Sequence, residues 1–204
     1  MKKPRIILSL MAILLVGFVY ADPNEDLINA IKNQDTEMLK KAIADGAEVN
    51  QTFEHTLVNW QLGAYQAFKK FTPLMLASYN GYYDGVLHLL HSKAKTNATA
   101  SGGTGAYFNT FVLKSVKSVT ALHLAAGNGH ADVVKLLIQA KAHKTLVLME
   151  VNANQSSIKQ VGFVKGKANF SPKKWAEQNG HTSIVELWKE AKKAAWAKEG
   201  LPSI

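Results

Sequence analysis

Apolar positions recur along the chain in three stretches that align without gaps: FTPLMLASYNGYYDGVLHLL at 71–90, VTALHLAAGNGHADVVKLLI at 119–138 and FSPKKWAEQNGHTSIVELW at 170–188. In each stretch a Thr or Ser precedes apolar residues at helical spacing, which predicts a short capped helix. Asn-Gly then ends that helix, and apolar residues at i, i+3 and i+4 predict a second one. Residues 25–50 carry the same two helical patterns without the Thr-Pro opening.

Neither predicted helix of a pair can bury its apolar stripe alone, so the pairs must stack side by side. This stacking predicts a mainly α solenoid in which the first and last units are more polar than the middle ones. We expect one domain over 22–204, with its four repeats at about 25–50, 71–97, 119–145 and 170–200.

The segment TALHLAAGNGH at 120–130 resembles the opening of an ankyrin repeat, and DGAEVN at 45–50 resembles its closing turn. His123, His130 and Asp132 lie within ten residues of the sequence, a density that is typical of a small catalytic or metal site. The resemblance instead implies a scaffold: His123 would bond the turn at its Thr, and His130 would tie neighbouring loops together. By position the same structural set includes Thr72, Thr120, Gly129, Ser171 and His181.

The spacing between repeats departs from the family. An ankyrin unit repeats about every 33 residues, whereas Thr72 to Thr120 is 48 residues and Thr120 to Ser171 is 51. The excess lies in three insertions rich in aromatic and β-branched residues, a composition that predicts elongated β-hairpins between the repeats. These insertions cover 51–70, 98–118 and 146–169. They could serve as a binding surface or only as elaborations of the packing.

Two lysines replace a glycine in the closing turn. Gly46-Ala47 of the first repeat becomes Lys93-Ala94 and Lys141-Ala142 in the next two. A left-handed residue at that position would cost a lysine about 1 kcal/mol relative to glycine. The pattern indicates either lysines retained for contact with a partner or a repositioned turn.

Residues 1–21 have the features of a cleaved signal peptide: Lys2, Lys3 and Arg5, then a short apolar run, then Val19-Tyr20-Ala21. A retained membrane anchor is the alternative, but the apolar run is shorter than the roughly 20 residues that span a bilayer. Export predicts a periplasmic protein, with secretion as the alternative. The chain has no cysteine, so its stability must come from packing rather than disulfides.

Removal of that segment takes three of the 24 basic residues and none of the 15 acidic ones, which leaves a net charge of +6. All remaining basic residues are lysines. Because arginine supplies the fork that reads base edges, nucleic acid is a poor candidate partner. Weak electrostatic contact with anionic envelope polymers remains open.

The sequence contains no catalytic set outside the repeat positions and predicts neither an enzyme nor a cofactor. His88 and His91 could share a metal, but no third ligand stands nearby, so no metal site is expected. The resemblance implies protein binding through the hairpins and the first helices. The predicted partner-binding residues are Trp60, Tyr65, Phe68, Tyr79, Asn80, Tyr107, Phe108, Asn128, Gln178 and Asn179.

The most concrete hypothesis is an inhibitor or immunity protein that occludes an exported peptidoglycan hydrolase. It follows from the predicted compartment and the predicted fold. A periplasmic scaffold or stress-protection partner, and a secreted effector acting on a host or prey protein, are the alternatives from the same reasoning.

Overall fold

The computed structural model describes residues 22–59, 64–106, 111–142, 147–153, 166–191 and 198–204. These residues contain eight helices in four consecutive pairs. The helices are α1 (Pro23–Asn33), α2 (Thr36–Ala44), α3 (Pro73–Tyr79), α4 (Tyr83–His91), α5 (Ala121–Gly127), α6 (Ala131–Gln139), α7 (Pro172–Gln178) and α8 (Thr182–Ala191).

The helices begin where the sequence places capping residues. The side chains of Asp35, Thr72 and Ser171 accept hydrogen bonds from the backbone amide three residues later. Pro73 and Pro172 follow two of these caps, where a missing N–H costs nothing. The short first helices therefore start at defined residues even though helices of seven residues are marginal by themselves.

The helix pairs stack into two layers. The first helices α1, α3, α5 and α7 contact one another in order, and so do the second helices α2, α4, α6 and α8. Buried side chains from both layers form one hydrophobic cluster, whose fully buried members include Leu27, Leu39, Leu74, Leu122, Leu137 and Ile184. The predicted solenoid of four helix pairs is confirmed.

The segments between the repeats form β-strands: β1 (Phe53–Asn59), β2 (Ala64–Phe71), β3 (Ala100–Ala106), β4 (Phe111–Val119), β5 (Val147–Ala153) and β6 (Gly166–Phe170). They join into one antiparallel sheet in the order β1 to β6. Strands of different insertions pair directly, β2 with β3 and β4 with β5. The predicted hairpins are confirmed, and they merge into a sheet that runs along all four repeats.

Strand β3 has the weakest β-strand signal in the sequence. Its residues ASGGTGA lie within the insertion 98–118 but lack the aromatic and large β-branched side chains by which the insertions were predicted to form strands. A Cβ on Gly102 would lie 2.0 Å from the backbone oxygen of Ala67. Glycine therefore stands here because β3 approaches β2 too closely for any side chain.

The first hairpin packs against the helices with one of its faces. Leu57, Phe68 and Phe71 are buried in the same cluster as the helix side chains. The rings of Phe68 and Phe71 lie 5.5 Å apart, and the His55 ring lies 5.1 Å from that of Phe71. On the other face Thr56 and Ala67, which are paired across the two strands, are exposed.

The burial of His55 predicts a loss of stability in weak acid. Burial, assisted by the charge of Lys32, lowers the pKa of the His55 imidazole below its usual 6.5. Burial also lowers the pKa of His88. A histidine with a lowered folded-state pKa stabilises the fold above the unfolded pKa, and that stability is lost as the pH falls through the folded value.

Urea unfolding at pH 7.5 and pH 5 should therefore show a lower free energy of unfolding at pH 5. The variant His55→Phe should show a shallower loss, because it keeps an aromatic ring against Phe71 and cannot take up a proton. Equal pH dependence in the variant and the parent protein would contradict this assignment.

The C-terminal residues return to the second repeat. Nε2 of His91 in α4 lies 2.7 Å from the carbonyl oxygen of Pro202 and donates to it. Leu201 packs against the hydrophobic cluster. The chain end thus adds a contact between units that are distant in the sequence.

The predicted signal peptide, residues 1–21, lies outside the described residues. Within the described part of the chain, every helix is too short or too polar to cross a bilayer.

Candidate partner-binding surface

Histidines at one repeat position link neighbouring units. Nε2 of His130 donates to the carbonyl oxygen of Tyr79 at 2.9 Å, and Nε2 of His181 donates to that of Gly127, also at 2.9 Å. Both acceptors lie at the end of the preceding first helix, where carbonyl groups have no partner within the helix. This is the role that the sequence resemblance implies for His130 and His181.

The asparagines before the Asn-Gly turns add a second row of bonds. The amide of Asn80 donates to the Ile31 oxygen at 3.4 Å, and that of Asn179 donates to the Gly127 oxygen at 2.6 Å. Asn128 donates to oxygens in its own helix and in the preceding one. These three side chains, predicted to bind a partner, hold the repeats together in the structure.

The glycines of these turns lie beneath the next imidazole. Gly81 and Gly129 have positive φ angles of 68° and 84°. A Cβ on Gly81 would lie 2.5 Å from Nδ1 of His130, and one on Gly129 would lie 2.8 Å from Nδ1 of His181. Gly180, in the last repeat, has the same backbone conformation with no atom within 4 Å of that position.

His123 has a different role, inside its own repeat. The backbone amide of Thr120 lies 3.3 Å from Nδ1 of His123, and the Thr120 hydroxyl lies 2.8 Å from it. Since an amide can only donate, Nδ1 is the acceptor and the ring proton is on Nε2. His123 is fully buried beside Trp175, with ring centroids 6.1 Å apart. His123, which in the sequence suggested a catalytic or metal site, therefore stabilises the start of helix α5.

The family model of the ankyrin repeat matches residues 69–101 and 119–147. The chain is an ankyrin-repeat protein. No curated protein matches the sequence. Ankyrin repeats typically serve as non-catalytic modules for protein–protein interaction, so a protein partner follows from the family assignment.

The second ankyrin repeat differs from the third at two positions that contact each other, one of which is the position of His130. Tyr82 occupies the position of His130, and its hydroxyl lies 2.8 Å from the Thr36 hydroxyl of the first repeat. Gly85 occupies the position of Val133, and a Cβ there would lie 2.2 Å from the Tyr82 ring. The buried tyrosine therefore requires the glycine, and the two substitutions belong together.

This coupling predicts a non-additive pair of substitutions. Gly85→Val alone should lower the free energy of unfolding by about 2–3 kcal/mol, because it forces extra volume against the buried Tyr82 ring. In a Tyr82→His background the same change should cost less than about 1 kcal/mol, because it restores the combination found in the third repeat. Urea unfolding of the four proteins measures the coupling, and additive costs would contradict it.

The closing-turn lysines adopt the left-handed conformation, one of the two possibilities that the sequence left open. The φ angle is 68° at Lys93 and 59° at Lys141, compared with 98° at Gly46. The turn is therefore the same in the three repeats and has not been repositioned.

The structure corrects one member of the predicted binding set, and it does not describe the side chains of several others. Phe68 is 2 % exposed within the hydrophobic cluster, so it is a core residue and not a partner contact. Trp60, Tyr107 and Phe108 lie outside the described residues. Tyr65 lies in β2 and Gln178 ends α7, but their side chains are also outside the described part.

At the ends of the first helices, Tyr79 remains half-buried in α3. Sequence reasoning missed Trp175, which is also half-buried. Its indole lies within 3.2 to 3.4 Å of the position that a Cβ on Gly127 would take. The signal was present, since Trp175 stands where the other repeats have Leu76 and Leu124. This first-helix surface has aromatic groups suited to binding, because large aromatic side chains carry much of the energy of protein interfaces.

The described residues contain no group of three histidine or acidic side chains that could hold a metal ion. His91 directs Nε2 at the Pro202 oxygen, so that nitrogen is occupied.

Proposed function

We propose that this ankyrin-repeat protein is a non-catalytic, exported module that binds a partner protein through the exposed face of its six-stranded sheet. The observation that carries the proposal is the continuity of the sheet across all three insertions. The sheet is not needed to join successive repeats, since the helices of each layer contact one another in order. A continuous sheet provides a rigid surface, and rigidity lowers the entropic cost of binding.

The exposed face is accessible in the first two insertions. Thr56 in β1, Ala67 in β2 and Ser101 in β3 are all exposed, and they alternate with buried residues such as Leu57 and Phe68. Small and uncharged side chains at these positions allow another protein to approach the sheet closely. Ala67 is the most useful test position, because its side chain is small and faces away from the core.

In its most concrete form, the partner is an exported peptidoglycan hydrolase whose cleft the protein occludes. The signal-like residues 1–21 support an envelope location, and the interaction role of the repeats supports a binding rather than a catalytic activity. A cell that exports wall-degrading enzymes needs a way to restrain them.

The test adds the purified protein to each wall hydrolase exported by the same cell and measures the rate of peptidoglycan digestion. We expect digestion by at least one hydrolase to slow. Ala67→Glu should weaken that inhibition about tenfold or more, since it places an unpaired charge within the interface. Ala44→Glu is the matched control, because Ala44 is an exposed alanine in α2, away from the sheet. Both variants should keep the parent melting temperature within a few degrees.

Unchanged digestion with every hydrolase would reject the inhibitor form of the proposal. Capture from envelope extract with the parent protein and with Ala67→Glu then distinguishes the alternatives. A partner lost only with Ala67→Glu would indicate a scaffold that uses the sheet. Recovery of the protein from culture fluid instead of the periplasmic fraction would favour a secreted effector.

A further inference from the structure

Three equivalent turns close the first three repeats. The left-handed residue lies two positions after the end of α2, α4 and α6, at Gly46, Lys93 and Lys141. Each of these residues donates its amide to the carbonyl oxygen three residues earlier, at 3.0 to 3.1 Å. Because the backbone is the same, glycine would fit all three turns at least as well as lysine.

Both lysines hold this unfavourable conformation on the surface. Lys93 and Lys141 are exposed, as is Lys95. Within the described residues none of the three forms an ion pair. No ion pair among the described residues offsets the strain at Lys93 and Lys141, so their positive charges are available to a partner. We name Lys93, Lys95 and Lys141 the lysine row.

The charge along these turns changes sign between the first and second repeats. Exposed Asp45 and Glu48 flank Gly46, whereas Lys95 occupies the position that matches Glu48. An extended anionic surface such as a membrane would meet the carboxylates of the first repeat and be repelled. A short acidic segment, in contrast, can contact the second and third repeats without reaching the carboxylates of the first.

We propose that the lysine row binds an extended acidic stretch of polypeptide. Packed helices lie about 8–10 Å apart, which sets the distance from one repeat to the next. Three residues of extended chain span about 10 Å. In an extended polyproline II conformation three residues make one turn and advance about 9 Å, so carboxylates at every third residue lie on one face at about the spacing of successive repeats. Lysine suits this role because its charge does not demand the bidentate geometry of arginine.

The probe is a fluorescein-labelled synthetic peptide of about six residues with Glu at every third position, about 20 Å long when extended, which covers the second and third repeats. Its binding is measured by fluorescence anisotropy at low salt. The double variant Lys93→Asn/Lys141→Asn should bind it about tenfold more weakly than the parent protein. The same variant should melt about 2 °C or more higher, because asparagine tolerates the left-handed conformation better than lysine.

The control is Lys32→Asn, which removes one exposed lysine from α1, outside these turns. It should change the affinity for the peptide less than twofold. Equal loss of affinity in Lys32→Asn and in the double variant would overturn the proposal, since net charge alone would then explain binding. Unchanged affinity in the double variant would also overturn it.

Vesicles of equal parts phosphatidylcholine and phosphatidylglycerol test an anionic lipid surface as the alternative ligand. Binding to these vesicles without binding to the peptide would overturn the proposal in favour of a lipid surface. The peptide assay uses no hydrolase and leaves the sheet intact. Its result is therefore independent of whether the sheet binds the partner proposed above.

Discussion

Gly81→Ala should lower the free energy of unfolding by about 3 kcal/mol, whereas the same change at Gly180 should cost only about 1 kcal/mol. Both glycines have positive φ angles, 68° and 78°. The strain of placing alanine in the left-handed region is therefore common to both sites. The difference comes from the next repeat, which covers Gly81 and is missing beyond Gly180 in the described structure.

At Gly81 the new methyl group would lie 2.5 Å from Nδ1 and 2.8 Å from Cγ of His130. Because Cγ is also too close, turning the ring about its own axis does not remove the contact. The imidazole must move, and its 2.9 Å bond to the Tyr79 oxygen is then lost. That bond and the displaced packing contribute about 1 kcal/mol each beyond the strain.

A double-mutant cycle separates these contributions. In a His130→Ala background, Gly81→Ala should cost only about 1 kcal/mol, the value expected at Gly180, because no imidazole remains to be displaced. Gly129→Ala should fall between the two sites, since its contact with His181 is 2.8 Å. Urea unfolding measures all of these variants, and equal costs at Gly81 and Gly180 would show that the imidazole contact contributes nothing.

Gly102→Val should be still more damaging, with a loss of about 4 kcal/mol or more. The Cβ would lie 2.0 Å from the Ala67 backbone oxygen and 3.0 Å from the Phe68 Cα. Because the Cβ would meet backbone atoms of β2, no side-chain rotation can relieve the contact. Strand β3 must therefore separate from β2. Phe68, which is buried beside that contact, would then lose part of its cover.

Hydrogen exchange followed by mass spectrometry should detect faster exchange in β2 and β3 of Gly102→Val. The matched control is Ser101→Val, one residue earlier in the same strand, where the side chain is exposed. It should change stability by less than about 0.5 kcal/mol, since valine suits an exposed strand position. A mild effect of Gly102→Val would mean that the two hairpins can pair at a larger separation.

The sequence was most informative about elements that rest on local chemistry. Thr72 and Ser171 predicted helix starts because a cap is recognised from a few neighbouring residues. The alignment of Lys93 and Lys141 with Gly46 raised the left-handed turn as one possibility and a repositioned turn as the other, and the structure shows the left-handed turn. These predictions depend on no contact between distant parts of the chain.

Burial corrects one residue of the predicted binding set. Aromatic composition indicated a surface at Phe68, yet the residue is buried. The resemblance assigned Asn80, Asn128 and Asn179 to partner binding, and in the structure their amides bond to the preceding repeat while Asn128 and Asn179 remain exposed. Whether a side chain in an insertion faces solvent or the core depends on strand register and on what the hairpin packs against, and neither is visible in composition.

The sequence by itself determined the family, the four helix pairs, the helix caps and the presence of long hairpins. Each of these follows from residues within one repeat or from the alignment of one repeat with another. Only the tertiary structure decided that the hairpins merge into a single sheet and that Gly102 permits it. It also decided that Tyr82 and Gly85 form a pair and that each imidazole covers the glycine of the preceding unit. The sheet, the imidazole contacts and the packing of Tyr82 against the first repeat depend on close approach between segments about 35 to 50 residues apart. Such distances are set by packing rather than by local pattern.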